Sequence, residues 1–368
     1  MKTRSFSTRS PRLNEREASI LHLVVKSFIE TAGPVASRFL SVRYDLGLSS
    51  ASIRNTLNNL ESKGYLSHPH TSAGRIPTDQ GYRAFVDSLM ESAVLSAGER
   101  RLMRTHLLAI HDDTEALIKE SSRILARLAG LLGVVLSPQL TSGILERLEI
   151  VPVSSDRVMF VISVQGGLIR TIVLNVVVGL QRHHLDRLVE LLNERLVGLS
   201  LDEIRRTCAD RVMDLKDEHS GIVQLILNDS NALFSADPES RTVQVEGTTY
   251  ILAQPEFDEA DRMRGLVSLI GDAPRIRRLV EKHDFEGAEA PEKARVAIGS
   301  EASIDSDEVG NVRNLSIVSA RYYRSNMTGT IGVIGPTRMD YARMIALVEG
   351  MAMLMSRPSN MPSRSNRA

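Results

Sequence analysis

The sequence predicts an α+β protein: a helical head closed by a short β-hairpin, followed by a larger body of mixed strands and helices. Three observations predict it. Residues 46–86 read as a helix end, a tight turn at Gly47, a second helix from Ser49 or Ser50 to about Ser62, a stop at Gly64 and a polar hairpin. Strand-like runs at 145–153, 158–164 and 168–177 are separated by the turn tripeptides Ser154-Ser155-Asp156 and Gln165-Gly166-Gly167. Further strand-like runs at 295–299, 315–320 and 330–334 precede a last amphipathic helix that begins after Pro336.

Within the head, Asn14 and Glu17 form a capping-box pattern. The helix they open carries Ile20, Leu21, Val24, Val25 and Phe28 on one side. Pro34 and Ser37 open a second helix containing Phe39, Leu40 and Tyr44. In the third, Ile53, Leu57 and Leu60 recur at helical spacing and share a buried face. Its other face carries Ser50, Ser52, Arg54, Asn55, Asn58 and Asn59, with only Glu61 opposing them in charge. Three helices and a hairpin give a winged helix-turn-helix, whose third helix enters the major groove. Arg and Asn are the side chains that pair with guanine and adenine edges there. A solvated helix can show a similar face, and the flanking elements tip the reading towards double-stranded DNA. In the hairpin, Arg75 stands with His68 and His70 around a turn at 71–74, which suits contact with phosphate.

Beyond the head, residues 97–132 read as a helical connector with apolar positions Leu102, Leu107, Leu117, Ile118, Ile124, Leu125 and Leu128. A helix is expected at about 184–197. Residues 198–291 form a mostly helical, charged stretch with its own small hairpin, VQVEGTTYIL. It separates two groups of strands, so the body reads as a host domain carrying an insertion.

The blocks GPVASRFL, LGLSSASIRN, LESKGYLSHPHTSAGRIPTDQGYR and GTIGVIGPTRMDYARMIALVEG resemble the HrcA family of bacterial heat-inducible transcription repressors. The resemblance runs from about residue 12 to about residue 355. Ala36 stands where that family usually has Gly, and Asn58-Asn59 stand where it usually has Ala-Asp. It implies a disordered basic tail at 1–12, a winged-helix domain at 13–90 and a helical connector at 91–135. It further implies a GAF-like host at 136–197 and 292–356, an inserted dimerisation domain at 198–291 and a disordered tail at 357–368. The function implied is repression of groEL- and dnaK-type chaperone operons by a homodimer on an inverted-repeat, CIRCE-type operator. The GroEL chaperonin is the implied regulator.

Composition fits this. Of 368 residues, 42% are hydrophobic and 24% charged, ordinary for a globular protein. Net charge is zero, yet residues 1–85 hold twelve Lys and Arg against six Asp and Glu, leaving +6 there and −6 on the remainder. A basic head on an acidic body suits a nucleic-acid reader. Cys208 is the only cysteine, which excludes intramolecular disulfides and points to a cytoplasmic setting; it reads as a small packed residue in a helix. The apolar runs LLGVVL and IVLNVVVGL are too short to span a bilayer, so no membrane partner is expected. His183-His184 point to different helix faces and make a poor metal pair. HExxH, CxxC and GxxxxGK[ST] patterns are missing, so neither an enzyme nor a cofactor is expected. The segment Gly335-Pro336-Thr337-Arg338 reads as a turn feeding the last helix rather than a phosphate cradle. A second class stays open: a sensor whose body binds a small metabolite. A pocket of convergent polar groups would favour it, whereas apolar filling near Val161 and Ile317 would favour the repressor.

Overall fold

The computed structural model of the chain describes residues 12–69, 74–110, 113–176, 182–215, 222–234, 241–282, 293–302 and 314–358. It is a mixture of helices and largely antiparallel sheets, an α+β chain as expected. The tail expected at 1–12 lies outside these residues apart from Arg12. In the C-terminal tail, Arg357–Pro358 instead pair as a short parallel strand on the strand at Leu315–Ser325.

The head opens with α1 (Glu15–Thr31). Its start is fixed by reciprocal bonds: the Glu17 amide donates to Asn14 Oδ1 at 2.9 Å, and the Asn14 amide donates to Glu17 Oε2 at 3.0 Å. Helix α2 (Ser37–Arg43) follows, then α3 (Ser50–Ser62), capped by the Ser49 hydroxyl on the Ser52 amide. Ile20, Leu21, Val24, Val25, Leu40, Ile53, Leu57 and Leu60 fill the space between them, the predicted apolar positions. Strands β1 (Leu66–Ser67) and β2 (Ile76–Pro77) form the ribbon, with Leu66 opposite Pro77. Helix α4 (Asp79–Ala84) continues as one π turn, Phe85–Leu89.

The expected connector is two helices, α5 (Ala97–Leu108) and α6 (Thr114–Ala129), and then a strand. That strand, β3 (Leu132–Leu136), is buried along its whole length. It lies within a six-stranded sheet ordered β11-β9-β10-β3-β7, with β8 on the open edge of β9. The other members are β7 (Val243–Glu246), β8 (Arg295–Ile298), β9 (Leu315–Ser325), β10 (Met327–Pro336) and β11 (Arg357–Pro358). One face packs on α6 and α13 (Tyr341–Met355); the other packs on α10 (Thr248–Leu252), α11 (Ala260–Ile270) and α12 (Ala273–Glu281). Both faces being covered, β3 carries no polar alternation, and the run LLGVVL shows only as apolar. The hairpin expected at VQVEGTTYIL is a strand and a helix: β7 pairs with β3, and Gly247, at φ +94°, turns the chain into α10.

The strands at 145–175 do not join that sheet. Strands β4 (Leu145–Pro152), β5 (Arg157–Val164) and β6 (Leu168–Asn175) form a separate antiparallel meander. Its inner face builds a second core with α7 (Arg182–Leu196), α8 (Leu201–Val212) and α9 (Ile222–Phe234). The chain leaves the large sheet after Ser137 and returns at Thr242, where the Ser137 amide donates to the Thr242 carbonyl at 2.9 Å. The Thr242 amide answers on Ser137 Oγ at 3.0 Å. The segment that departs from the host fold is therefore 138–241, not the 198–291 expected, and residues 243–281 belong to the host. The sequence boundary erred because the Ser137–Thr242 contact spans more than a hundred residues and leaves no local signature. Cys208 packs in this second core as expected, and burial pushes its thiol up to about 11.

The head is joined to the body without a gap in packing. One apolar cluster runs from Ile20 and Leu60 through Tyr82 and Leu125 to Tyr341 and Met351. Around it, Arg83 Nη2 donates to the Val296 carbonyl at 2.7 Å and pairs with Glu301, and the Ser300 amide donates to Asp79. Arg338 donates to the Ile29 carbonyl at the end of α1 at 2.9 Å while paired with Glu256. The turn at Gly335–Arg338 thus carries a tie between body and head.

Candidate nucleic-acid interface

Helix α3 turns Ile53, Thr56, Leu57 and Leu60 inward, and its outer strip is exposed at Arg54, Asn55, Asn58 and Asn59. These four lie at i, i+1, i+4 and i+5, so they form a band along one side of the helix. The predicted face is present, but its members differ in surroundings. Ser50 is half-buried, its hydroxyl 3.2 Å from that of Ser37, and it ties α3 to α2. Ser52 is half-buried as well, and its carbonyl and hydroxyl accept from Arg16 at 2.8 and 2.6 Å. Arg16 therefore joins the exposed band at the start of α3. Nothing in the local sequence around Arg16 marks this, because the contact links residues 36 positions apart.

Arg75 is set differently from expectation. It is held by main-chain pairing with Val35, its amide and carbonyl bonded to the Val35 carbonyl and amide, each at 2.9 Å. Gly74 permits that approach: a Cβ there would stand 2.4 Å from the Val35 carbonyl carbon, closer than any side chain tolerates. The Arg75 side chain is only 20% exposed and folds back onto α3, where Nη2 meets Glu61 Oε2 at 2.7 Å and Asn58 Oδ1 at 3.0 Å. His68 also pairs with Glu61. The acid that opposes the basic face is thereby neutralised from the ribbon side. His70 and the 71–73 part of the turn lie outside the described residues. At the base of the helix, Lys63 Nζ stands 2.6 Å from the buried Glu17 carboxylate and is the main reason that carboxyl is held below the usual range; the Asn14 amide adds to the effect.

Among the described residues there is no cluster of His, Cys, Asp and Glu that could hold a metal, and no helix long and apolar enough to cross a membrane. A groove of about 530 Å³ lies between α5 and α6, lined by His106, Lys119, Glu120 and Arg123. It does not lie between sheet and helices. Ile317 is packed in the host core, and Val161 is half-buried on the outer face of the meander.

The fold is a small helical head, with this exposed band on its third helix, on a larger α+β body. The chain belongs to the HrcA family: the family model for the HrcA C-terminal domain matches residues 115–345. It is 37% identical over 350 residues to the heat-inducible transcription repressor HrcA of Prosthecochloris aestuarii (strain DSM 271 / SK 413), covering 92% of this chain and 96% of that one. It is 38% identical over 351 residues to the repressor of the same name from Chlorobium luteolum (strain DSM 273 / BCRC 81028 / 2530), covering 93% and 96%. Among solved structures, a hypothetical protein determined at 2.2 Å superposes with a TM-score of 0.58 at 22% identity, covering 94% of this chain and 98% of that one. That likeness is one of fold.

Proposed function

We propose that this chain is a heat-inducible transcription repressor of chaperone operons, acting in the cytoplasm as a homodimer on an inverted-repeat, CIRCE-type operator. The head is a winged helix-turn-helix, with α3 as the reading helix and the β1–β2 ribbon as the wing. The single observation that carries the reading is the exposed Arg54-Asn55-Asn58-Asn59 band on a helix that the head otherwise buries. The host sheet is GAF-like, and the 138–241 excursion is the dimerisation element. In support, the outer face of its meander leaves Val151, Val153, Ile169 and Val173 39%, 51%, 65% and 49% exposed. Apolar surface of this kind is removed from water when two copies meet face to face.

Arg54 lies near the start of α3, where a reading helix meets base edges. Arg54→Ala should weaken operator binding by roughly 1–3 kcal/mol and relax preference at one operator position. Titration of operator variants measures this; an equal loss on random DNA would make Arg54 a phosphate contact instead.

Switching acts through the folded, dimeric fraction rather than through occupancy of a pocket. A change of about 1.4 kcal/mol shifts a folded-to-unfolded ratio tenfold, enough to derepress. Free GroEL raises the active fraction, and GroEL engaged by heat-damaged proteins fails to. The test is an operator shift at fixed repressor concentration across the heat-shock range, with active GroEL, with GroEL saturated by an unfolded competitor, and without GroEL. Active GroEL should give the highest shifted fraction without entering the DNA complex. Identical fractions in all three arms would sink the chaperonin mechanism.

A further inference from the structure

We infer that Arg75 is a positioning residue for the reading helix, turning the Asn58 side chain so that its amide nitrogen faces the groove and reads an acceptor atom on a base edge. This rests on the reading of the head as a DNA reader. A guanidinium only donates, so the Asn58 atom it meets at 3.0 Å is the amide oxygen, and the orientation of that amide follows. Arg75 Nη2 donates to Asn58 and is ion-paired with Glu61 Oε2 at 2.7 Å. Glu61 lies three residues beyond Asn58 on α3, and it takes His68 from the ribbon as well. The Arg75 main chain is anchored on both sides by Val35, so the guanidinium springs from a fixed backbone.

The consequence is chemical. A free Asn amide pairs with adenine in both directions, accepting from N6 and donating to N7. With its oxygen drawn to the wing, Asn58 offers the groove two N–H donors, which suit purine N7, guanine O6 or thymine O4. The Arg75 charge is offset by Glu61, so Arg75 does not act as a phosphate clamp, contrary to what its place in the hairpin suggests from sequence.

The test uses the full-length chain and an inverted-repeat operator duplex in which one groove acceptor at a time is deleted. The replacements are 7-deazapurines for N7, 2-aminopurine for guanine O6 and 5-methyl-2-pyrimidinone for thymine O4. The wild-type protein should lose about tenfold in affinity at one half-site position. Asn58→Asp, which keeps an acceptor for Arg75 and removes the donors, should abolish that sensitivity. Arg75→Met should blunt it while leaving the slope of affinity against salt unchanged, and Arg75→Lys should restore part of it. A wild-type acceptor profile in either Asn58→Asp or Arg75→Met overturns the inference. So does a salt slope lowered by about one unit in Arg75→Met, the mark of a lost phosphate contact. A wild-type protein that ignores the operator altogether is a different result, and it removes the DNA-reading assignment itself.

Discussion

Excision of residues 138–241, with Ser137 joined to Thr242 through a two-residue Asn-Gly turn, should leave a folded monomer that binds operator 10²–10⁴-fold more weakly than the full chain. The cut suits the fold because its ends already meet: Ser137 and Thr242 exchange hydrogen bonds at 2.9 and 3.0 Å, one rung beyond the Leu136–Val243 pair of β3 and β7. An Asn-Gly turn closes an antiparallel pair of this kind. The apolar filling of the excursion is its own apart from Met327 of β10, and the cut also removes Arg241, which pairs with Glu281 of α12 at 2.8 Å. The size of the effect follows from linkage: a second head tethered to the first binds at an effective concentration that multiplies affinity by the factor given above. Light scattering gives the oligomeric state, and titration of the inverted repeat gives the affinity. A dimer that persists after excision, or an affinity within about threefold of the full chain, would move dimerisation elsewhere.

Arg338→Met should cost about 2–4 kcal/mol of stability, as removal of one partner of a largely buried pair does. Arg338 is 13% exposed and its partner Glu256 is 18% exposed. The substitution strands that carboxylate and removes the donor to the Ile29 carbonyl, 2.9 Å away at the end of α1. Urea unfolding of single and double variants separates these contributions. Arg338→Met/Glu256→Gln should recover part of the loss, because the uncompensated acid is gone while the Ile29 carbonyl stays unserved. A single variant within about 0.5 kcal/mol of the parent would mean the tie carries no load.

The head was readable because its rules are local. Asn14 and Glu17 are three apart, Ser49 sits one residue ahead of α3, and Ile53, Leu57 and Leu60 repeat within one helix. The exposed band on α3 follows from the same periodicity, so Arg54, Asn55, Asn58 and Asn59 were legible. Arg75 was legible as a residue of the hairpin but its contacts were not, since its partners Asn58 and Glu61 come from another element. The contact of Arg16 with Ser52 was missed for the same reason. In the body, β3 hid inside an apolar run because helices cover both its faces. β7 was given a local hairpin partner because nothing in VQVEGTTYIL discloses pairing with Val134 and Val135 far upstream. The meander was read correctly strand by strand, since its turns are short. Its separation from the C-terminal strands depends on which sheets close, which no local pattern records.

The unbroken apolar cluster from α1 to α13 bears on how the proposed operator-binding dimer would sense distance along DNA. A head on a loose tether would meet its half-site at many angles, and the entropy of choosing one would be lost on binding. Here that entropy is already lost on folding, because the joint leaves the head one seat on the body. In the proposed dimer two such heads would be set at a fixed separation and phase, and spacing would be read as strictly as bases. Half a helical turn added between half-sites would then be as damaging as a wrong base, although no side chain touches the added pairs.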